Sequence, residues 1–276
     1  MPGKVQEFAS RFAEFADRLA SQRFYNYPFG VSPRAEASTY REIWLAAKQN
    51  NCPAIDRLEA SQGYSIDKDW MDELALLTQV VIKKSDICYQ HGRILYAVLS
   101  SYVAASQYDS VNIVETGTAR GYSSLCMAKA LHDAGQPGKI FTFDILPHDV
   151  EMYWNCIADD KGSMSRAELL KAYEQLVNNY IVFIQGDTQM QLRKVFVPRV
   201  HLAYFDGTHT YEYVLSEFGH IVDKQKSGDI AVFDDYTPEL FPGVVKAVDE
   251  ICATQGYSKE VLTVSEQRGY AIARKK

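Results

Sequence analysis

The sequence predicts an α/β fold: a doubly wound, mostly parallel sheet of seven strands, closed by a terminal antiparallel hairpin and preceded by an N-terminal helical extension. Three observations carry this prediction. No strand pattern occurs before residue 110. Beyond it, short apolar runs alternate with helical stretches, the mark of a parallel sheet wrapped by helices. Those runs are Val111 to Val114, Ile140 to Phe143, Ile181 to Ile184, His201 to Phe205 and Asp229 to Phe233, and each is followed by an acid or a Gly-Asp pair: Glu115, Asp144, Gly186-Asp187, Asp206 and Asp234-Asp235. Ligands of open α/β sheets bind beyond the carboxyl ends of the strands, so five acids there describe a site.

Val5, Phe8, Phe12, Phe15 and Leu19 recur at steps of three and four, predicting an amphipathic helix whose stripe packs either on the main domain or on a second subunit. Tyr25 to Pro33, with Pro28 and Gly30, reads as a loop. Thr39 to Ala60 reads as helical with a break near Pro53, and Asp69 to Val103 as one or two helices divided near His91 and Gly92. After the five strands, Gly243 to Cys252 reads as a helix, and Lys259 to Val264 with Tyr270 to Ala273 as the hairpin. The expected organisation is a helical extension and cap over residues 1–105 and a ligand-binding domain over 106–276, with a lid-like insertion at 145–179. That insertion exceeds an ordinary crossover, and long excursions at the ligand end of a sheet often act as lids. With the N-terminal helices, it is expected to choose the substrate.

The chain has 276 residues, enough for one large domain. Its 47% hydrophobic and 23% charged residues are ordinary globular values that exclude a disordered or fibrous chain. A formal charge of -6, with no long Lys/Arg run, works against nucleic acid as a partner. The first ten residues lack the apolar core of a signal peptide and no stretch reaches a membrane span, which predicts a soluble cytoplasmic protein. Cys52, Cys88, Cys126, Cys156 and Cys252 are odd in number and never paired as CxxC, so they read as free thiols.

The segment Val114-Glu115-Thr116-Gly117-Thr118-Ala119-Arg120-Gly121-Tyr122-Ser123 runs from a strand through a glycine turn into a helix starting near Ser123. Gly117 and Gly121 allow positive φ and close approach of a ligand to the backbone. The spacing is not that of a GxGxxG dinucleotide turn, and no Gly-Lys-Ser/Thr follows to make a P-loop. Glu-x-Gly-x-x-x-Gly-Tyr-Ser resembles the first motif of class I S-adenosylmethionine (SAM)-dependent methyltransferases, in particular the catechol O-methyltransferase-like group, whose sheet is Rossmann-like. The resemblance covers about residues 90 to 273. It implies a SAM site formed by Glu115, Gly117, Thr118, Gly121, Tyr122 and Ser123, with Gly117 and Gly121 beneath the methionine part and the Ser123 hydroxyl on its carboxylate. It implies Asp144 on the ribose hydroxyls, for which a carboxylate can accept two hydrogen bonds. Asp187 and Thr188 would lie beside the adenine ring, with Asp206 bordering the cofactor.

If the strands ending at Asp206 and at Asp234-Asp235 are neighbours, three carboxylates converge, and their repulsion raises their pKa values unless a cation neutralises them. Oxygen ligands favour Mg²⁺, with Mn²⁺ or Ca²⁺ as alternatives. The other reading makes these acids helix caps and turn formers. The segments resemble the metal-ligand positions of the same family, with Asp235 where the catechol group has Asn, as in bacterial natural-product enzymes acting on sugars, macrolides and aminocoumarins. Three residues beyond Asp206, where the family often has lysine, stands His209, whose ordinary pKa near 6.5 suits a general base. The other reading of His209 is a histidine that orients a carboxylate or binds adenine. Tyr211 and Tyr236 are candidate pocket residues.

The implied activity is transfer of the SAM methyl to a hydroxyl of a small molecule, a sugar diol or a phenolic natural product, assisted by a divalent ion. The alternatives are a metal-independent small-molecule methyltransferase and a non-catalytic SAM-binding protein with a partner on the Val5 to Leu19 stripe. A nicotinamide-dependent oxidoreductase is disfavoured by the glycine spacing and by the lack of a Ser-Tyr-x-x-x-Lys set. No nucleic acid or membrane partner is expected, and a homo-oligomer through the N-terminal helices is a possible assembly.

Overall fold

The computed structural model describes residues 28–105 and 108–276. The helix expected over Val5 to Leu19, the subunit contact assigned to it and the start of the Tyr25 loop lie outside the described residues. Among the described residues three short helices come first: α1 (Ala37–Ala47), α2 (Pro53–Gln62) and α3 (Lys68–Thr78). Proline opens α2 because its missing N–H is no loss in a first turn. The Asp67 carboxylate caps α3 by accepting the Trp70 amide at 2.8 Å.

The next helix, α4 (His91–Ala104), begins where a division was expected, but residues 79–90 are not helical at all. The β-branched run Val80-Val81-Ile82 is a weak helix former, and tertiary packing decides the rest. Buried Val80 and Tyr89 pin this segment to the core.

The sheet follows in the expected order. Strands β1 (Val111–Thr116), β2 (Gly138–Asp144), β3 (Ile181–Gln185), β4 (Leu202–Phe205) and β5 (Ile230–Phe233) are parallel, and β6 (Tyr257–Ser265) with β7 (Arg268–Lys275) forms the antiparallel hairpin. The spatial order is β3-β2-β1-β4-β5-β7-β6, so the chain reverses direction across the sheet between β1 and β4, where ligand crevices form. The connecting helices are α5 (Tyr122–Asp133), α6 (Arg166–Leu169), α7 (Glu174–Tyr180), α8 (Thr188–Leu192), α9 (Tyr211–Gly219) and α10 (Pro242–Thr254).

Strand side chains alternate between two cores. Ile113, Leu202, Tyr204, Ile230 and Val232 join the cluster shared with α2 to α5, whereas Val114, Ala203, Phe205, Ala231 and Phe233 join that of α9 and α10. The helices that precede the sheet therefore share a core with it. Cys52, Cys126 and Cys156 are buried free thiols, and Cys88 and Cys252 are half-buried ones. No helix among the described residues is long and apolar enough to cross a membrane.

Register brings the acids together. Thr116 pairs with both Phe143 and Phe205, and Phe205 pairs with Phe233, so β1, β2, β4 and β5 end level. Asp144, Asp206 and Asp234 consequently line one edge of the sheet.

Candidate functional site

The turn between β1 and α5 is left-handed where glycine was expected, at Gly117 (φ +90°) and Gly121 (φ +93°). Gly117 has a second reason to lack a side chain: a Cβ there would collide with the Asp206 carbonyl oxygen, so this turn and the loop after β4 are in direct contact. No side chain caps the N-terminus of α5 among the described residues. Its first-turn amides and the positive end of its dipole therefore remain available to an anion such as the carboxylate of an amino acid.

Asp144 accepts the amides of Ala119 (2.6 Å) and Leu146 (2.8 Å). Each carboxylate oxygen keeps a lone pair for a further donor. Burial raises its pKa, and the backbone amides and Arg166 draw it back only partly. Asp187 caps α8 by accepting the Met190 amide at 3.2 Å, which places the adjoining Thr188 in the first turn of that helix.

Other expected cofactor residues are placed differently. Glu115 is fully buried and accepts hydrogen bonds from both Ser123 and Ser124, so the Ser123 hydroxyl is committed inside the protein. The Thr118 hydroxyl pairs with that of Thr142 at 2.6 Å. Tyr122 is buried, and its hydroxyl donates to the Tyr89 carbonyl at 2.6 Å, fastening α5 to the 79–90 segment. These buried side chains hold the turn and the start of α5 against the core.

Beyond β4 and β5 the structure brings together Asp206, Asp234, Asp235 and His209. The His209 imidazole lies between two acids, with Nε2 3.3 Å from Asp206 Oδ1 and Nδ1 3.4 Å from Asp235 Oδ2. Asp235 also takes Arg268 at 3.0 Å. Asp234 accepts the Tyr204 hydroxyl (3.1 Å) and the Asp235 amide (2.7 Å). Burial raises the pKa of all three carboxyls, that of Asp234 to about 7, where the nearby Asp206 charge adds to the effect. For His209, burial pulls the pKa down, but the hydrogen bond and charge of Asp206, with the charges of Asp235 and Asp234, raise it overall.

The donor chemistry fits the expected hard divalent ion: oxygen atoms of three crowded carboxylates whose repulsion a cation relieves. Their present arrangement is not that of a ready metal site. Among the described residues no group of three or more His, Cys, Asp or Glu is placed to hold a metal. His209, Arg268 and Tyr204 lie against these oxygens instead.

A cavity of about 510 Å³ opens against Asp235. Its walls include Asn50 and Ser85 from the helical extension, Leu240 and Phe241 before α10, and Arg268 from the hairpin. No residue of the 145–179 insertion lines it, although that insertion was expected to choose the substrate. Tyr211 and Tyr236 do not line it either; their hydroxyls donate to Glu250 and Asp249 on α10. His201 is structural, as expected, with Nδ1 accepting the Asn112 amide at 3.0 Å. His91 is buried beside Tyr204, and burial lowers its pKa to about 3, so it stays neutral. Sequence reasoning missed Arg268 and Tyr204. For Tyr204 the signal was present: it lies on β4 two residues before Asp206, and strand alternation carried one residue past the strand end puts both on one face.

A family model described as a methyltransferase domain matches residues 114–236, from β1 to the loop after β5. Among similar solved structures is the O-methyltransferase NovP, 19% identical, covering 70% of this chain and 82% of that one with a TM-score of 0.52. Another is the O-methyltransferase TomG from Streptomyces achromogenes, involved in tomaymycin synthesis and solved with SAM (14% identity, 77% and 92% coverage, TM-score 0.53). A third is the O-methyltransferase from Bacillus cereus in complex with SAH (16%, 82% and 92%, 0.51). No curated protein matches the chain by sequence. The chain thus shares its fold with these O-methyltransferases, and the family model that matches its central strands is a methyltransferase domain.

Proposed function

We propose that the protein is a SAM-dependent O-methyltransferase acting on a hydroxyl of a small molecule, a sugar diol or a phenolic natural product, with a divalent ion assisting. The observation that carries this reading is the meeting of the glycine turn with the Asp206 loop. It sets a cofactor cradle directly beside three carboxylates, an imidazole and a cavity.

In this reading Gly117, Gly121 and the open amides of α5 take the methionine end of SAM, Asp144 takes the ribose hydroxyls, and Asp187 and Thr188 lie on the adenine side. Bound SAM supplies an electrophilic methyl on a sulfonium. An acceptor hydroxyl is a weak nucleophile until it loses its proton. His209 exchanges one of its carboxylate contacts for that hydroxyl and accepts the proton as the new O–C bond forms and the S–C bond breaks. Asp206 and Asp235 then stabilise the imidazolium. Asp206, Asp234 and Asp235 would hold Mg²⁺, which would supply a Lewis acid that polarises the acceptor oxygens. The cavity has an apolar wall at Leu240 and Phe241 and a polar one at Asn50 and Ser85, which suits a hydroxylated ring.

Calorimetric titration with SAM and then Mg²⁺ tests the reading. We expect wild type to bind both, and an Asp206→Ala, Asp234→Ala double variant to keep SAM and lose Mg²⁺. SAM binding without Mg²⁺ binding by wild type would favour the metal-independent alternative, for which the Arg268–Asp235 pair already provides charge compensation. Absence of SAM binding would refute the function.

A further inference from the structure

The 145–179 insertion holds one feature that an acceptor lid does not explain. Arg166, at the start of α6, is 1% exposed, yet its hydrogen bonds go to backbone carbonyls and not to a carboxylate: Nε donates to Ala119 at 3.0 Å and an Nη to Leu146 at 3.4 Å. The Asp144 carboxylate accepts the amides of these same two residues. Asp144 and Arg166 therefore grip one pair of residues from opposite sides, Asp144 by their N–H groups and Arg166 by their C=O groups. Ala119 lies in the glycine turn at φ +45°, a conformation costly for a residue with a Cβ, so the turn needs such external support.

The guanidinium is fixed by its surroundings. It lies over the rings of Trp154 (5.5 Å) and Phe183 (5.3 Å). Trp154 is fully buried, its indole N–H donating to the Met164 carbonyl at 2.8 Å. Asn155 next to it exchanges hydrogen bonds with Ile82 of the helical extension. The extension thus backs the insertion, and the insertion presents Arg166 to the turn. A buried cation without a paired carboxylate is costly and persists where its charge has a task.

We propose that Arg166 is a positioning residue for the cofactor: it locks the Ala119 turn and keeps Asp144 aligned for the ribose, so that the insertion governs cofactor binding. This rests on the SAM reading above. Asp144 contributes the largest favourable charge to Arg166, and Arg166 in turn draws the Asp144 carboxyl down against the burial that raises it. The other charged groups facing the pair are Glu115, which is buried and bonded to two serines, Arg120, and His148, which Arg166 keeps neutral together with burial. Ribose recognition uses the ionised carboxylate, so SAM affinity falls as pH drops through the Asp144 titration. Removing Arg166 moves that fall to higher pH.

The test is SAM and SAH affinity as a function of pH for wild type, Arg166→Met and Arg166→Lys. Arg166→Met is expected to weaken both ligands by about tenfold or more, the scale of one charge-assisted hydrogen bond, and to shift the acid limb upward. Arg166→Lys is expected to return the limb towards its wild-type position, because a lysine keeps the charge, while regaining only part of the affinity, because it lacks the planar fork. A folded Arg166→Met variant with wild-type affinity and pH profile overturns the proposal. Should that variant not fold, hydrogen exchange on wild type decides: SAM is expected to slow exchange across residues 145–170 as well as 117–123, and protection confined to 117–123 overturns it. Failure of wild type to bind SAM would instead refute the underlying function.

Discussion

Replacing His209 with Gln is expected to slow methyl transfer by about 10²- to 10⁴-fold, the usual contribution of a positioned base, while leaving SAM affinity unchanged. Glutamine can still donate to Asp206, so the variant keeps the local shape and loses only the ability to take a proton. In the proposed reading the SAM cradle is built from Gly117, Gly121, Asp144 and the start of α5, none of which depends on the imidazole. His209 packs edge-on against Phe241 at 5.0 Å, which limits its freedom to swing away from the cavity. Since the neighbouring carboxylates raise its pKa despite burial, the wild-type rate should climb with pH through a point above the ordinary imidazole value of about 6.5. Only the neutral ring accepts a proton, so the sign of that slope is fixed. Rate–pH profiles of both proteins, with any acceptor that wild type methylates, check this. A variant that kept both the rate and the slope would move the base elsewhere.

Most of the frame was legible because parallel strands buried on both faces are continuous apolar runs, and because each run stops at an acid. The observed β1 to β5 differ from the expected strands by two residues or fewer at either end. The hairpin was legible as two short apolar runs at the end of the chain, but not the role of Arg268 at its turn. That residue reaches Asp235 only because β7 pairs with β5 in the register Phe233 to Ala271, a tertiary fact with no local signal. Tyr122 shows the reverse. Its place in the motif suggested a ligand contact, whereas helical phase turns its ring towards Tyr89. Gly117 was assigned for the right property and an incomplete reason, since proximity to Asp206 could not be read before β1 and β4 were known to be neighbours. The length of the insertion suggested a lid over the acceptor, and gave no sign that Arg166 ties it to the glycine turn.

Glu217 gives the second large effect, on stability. It projects from α9 into the core beneath the Asp206 loop, 1% exposed, with Oε2 accepting the Thr116 hydroxyl at 3.0 Å. Its other oxygen has no hydrogen-bond partner among the described residues. An added Cβ on Gly207 would lie 3.1 Å from that oxygen, so the carboxyl fills the space directly under the loop. Burial raises its pKa from 4.5 to about 7, against the weaker downward pull of the neighbouring Thr116 and Thr188 hydroxyls. The folded state therefore holds this proton over a range where the unfolded chain has released it. Its contribution is fully present below about pH 4.5 and is lost as pH rises through about 7, a swing of about 3 kcal/mol at 1.36 kcal/mol per pKa unit. Glu217→Gln keeps the shape and an acceptor for Thr116 but cannot ionise. The variant should gain on wild type by about that amount between pH 4.5 and 8, read as the difference between their denaturant-unfolding free energies. The difference cancels the similar trend expected from Asp206, Asp234 and Asp235, which both proteins share. A constant gap across that range would mean that Glu217 is ionised in the folded protein and that an unassigned donor holds its second oxygen.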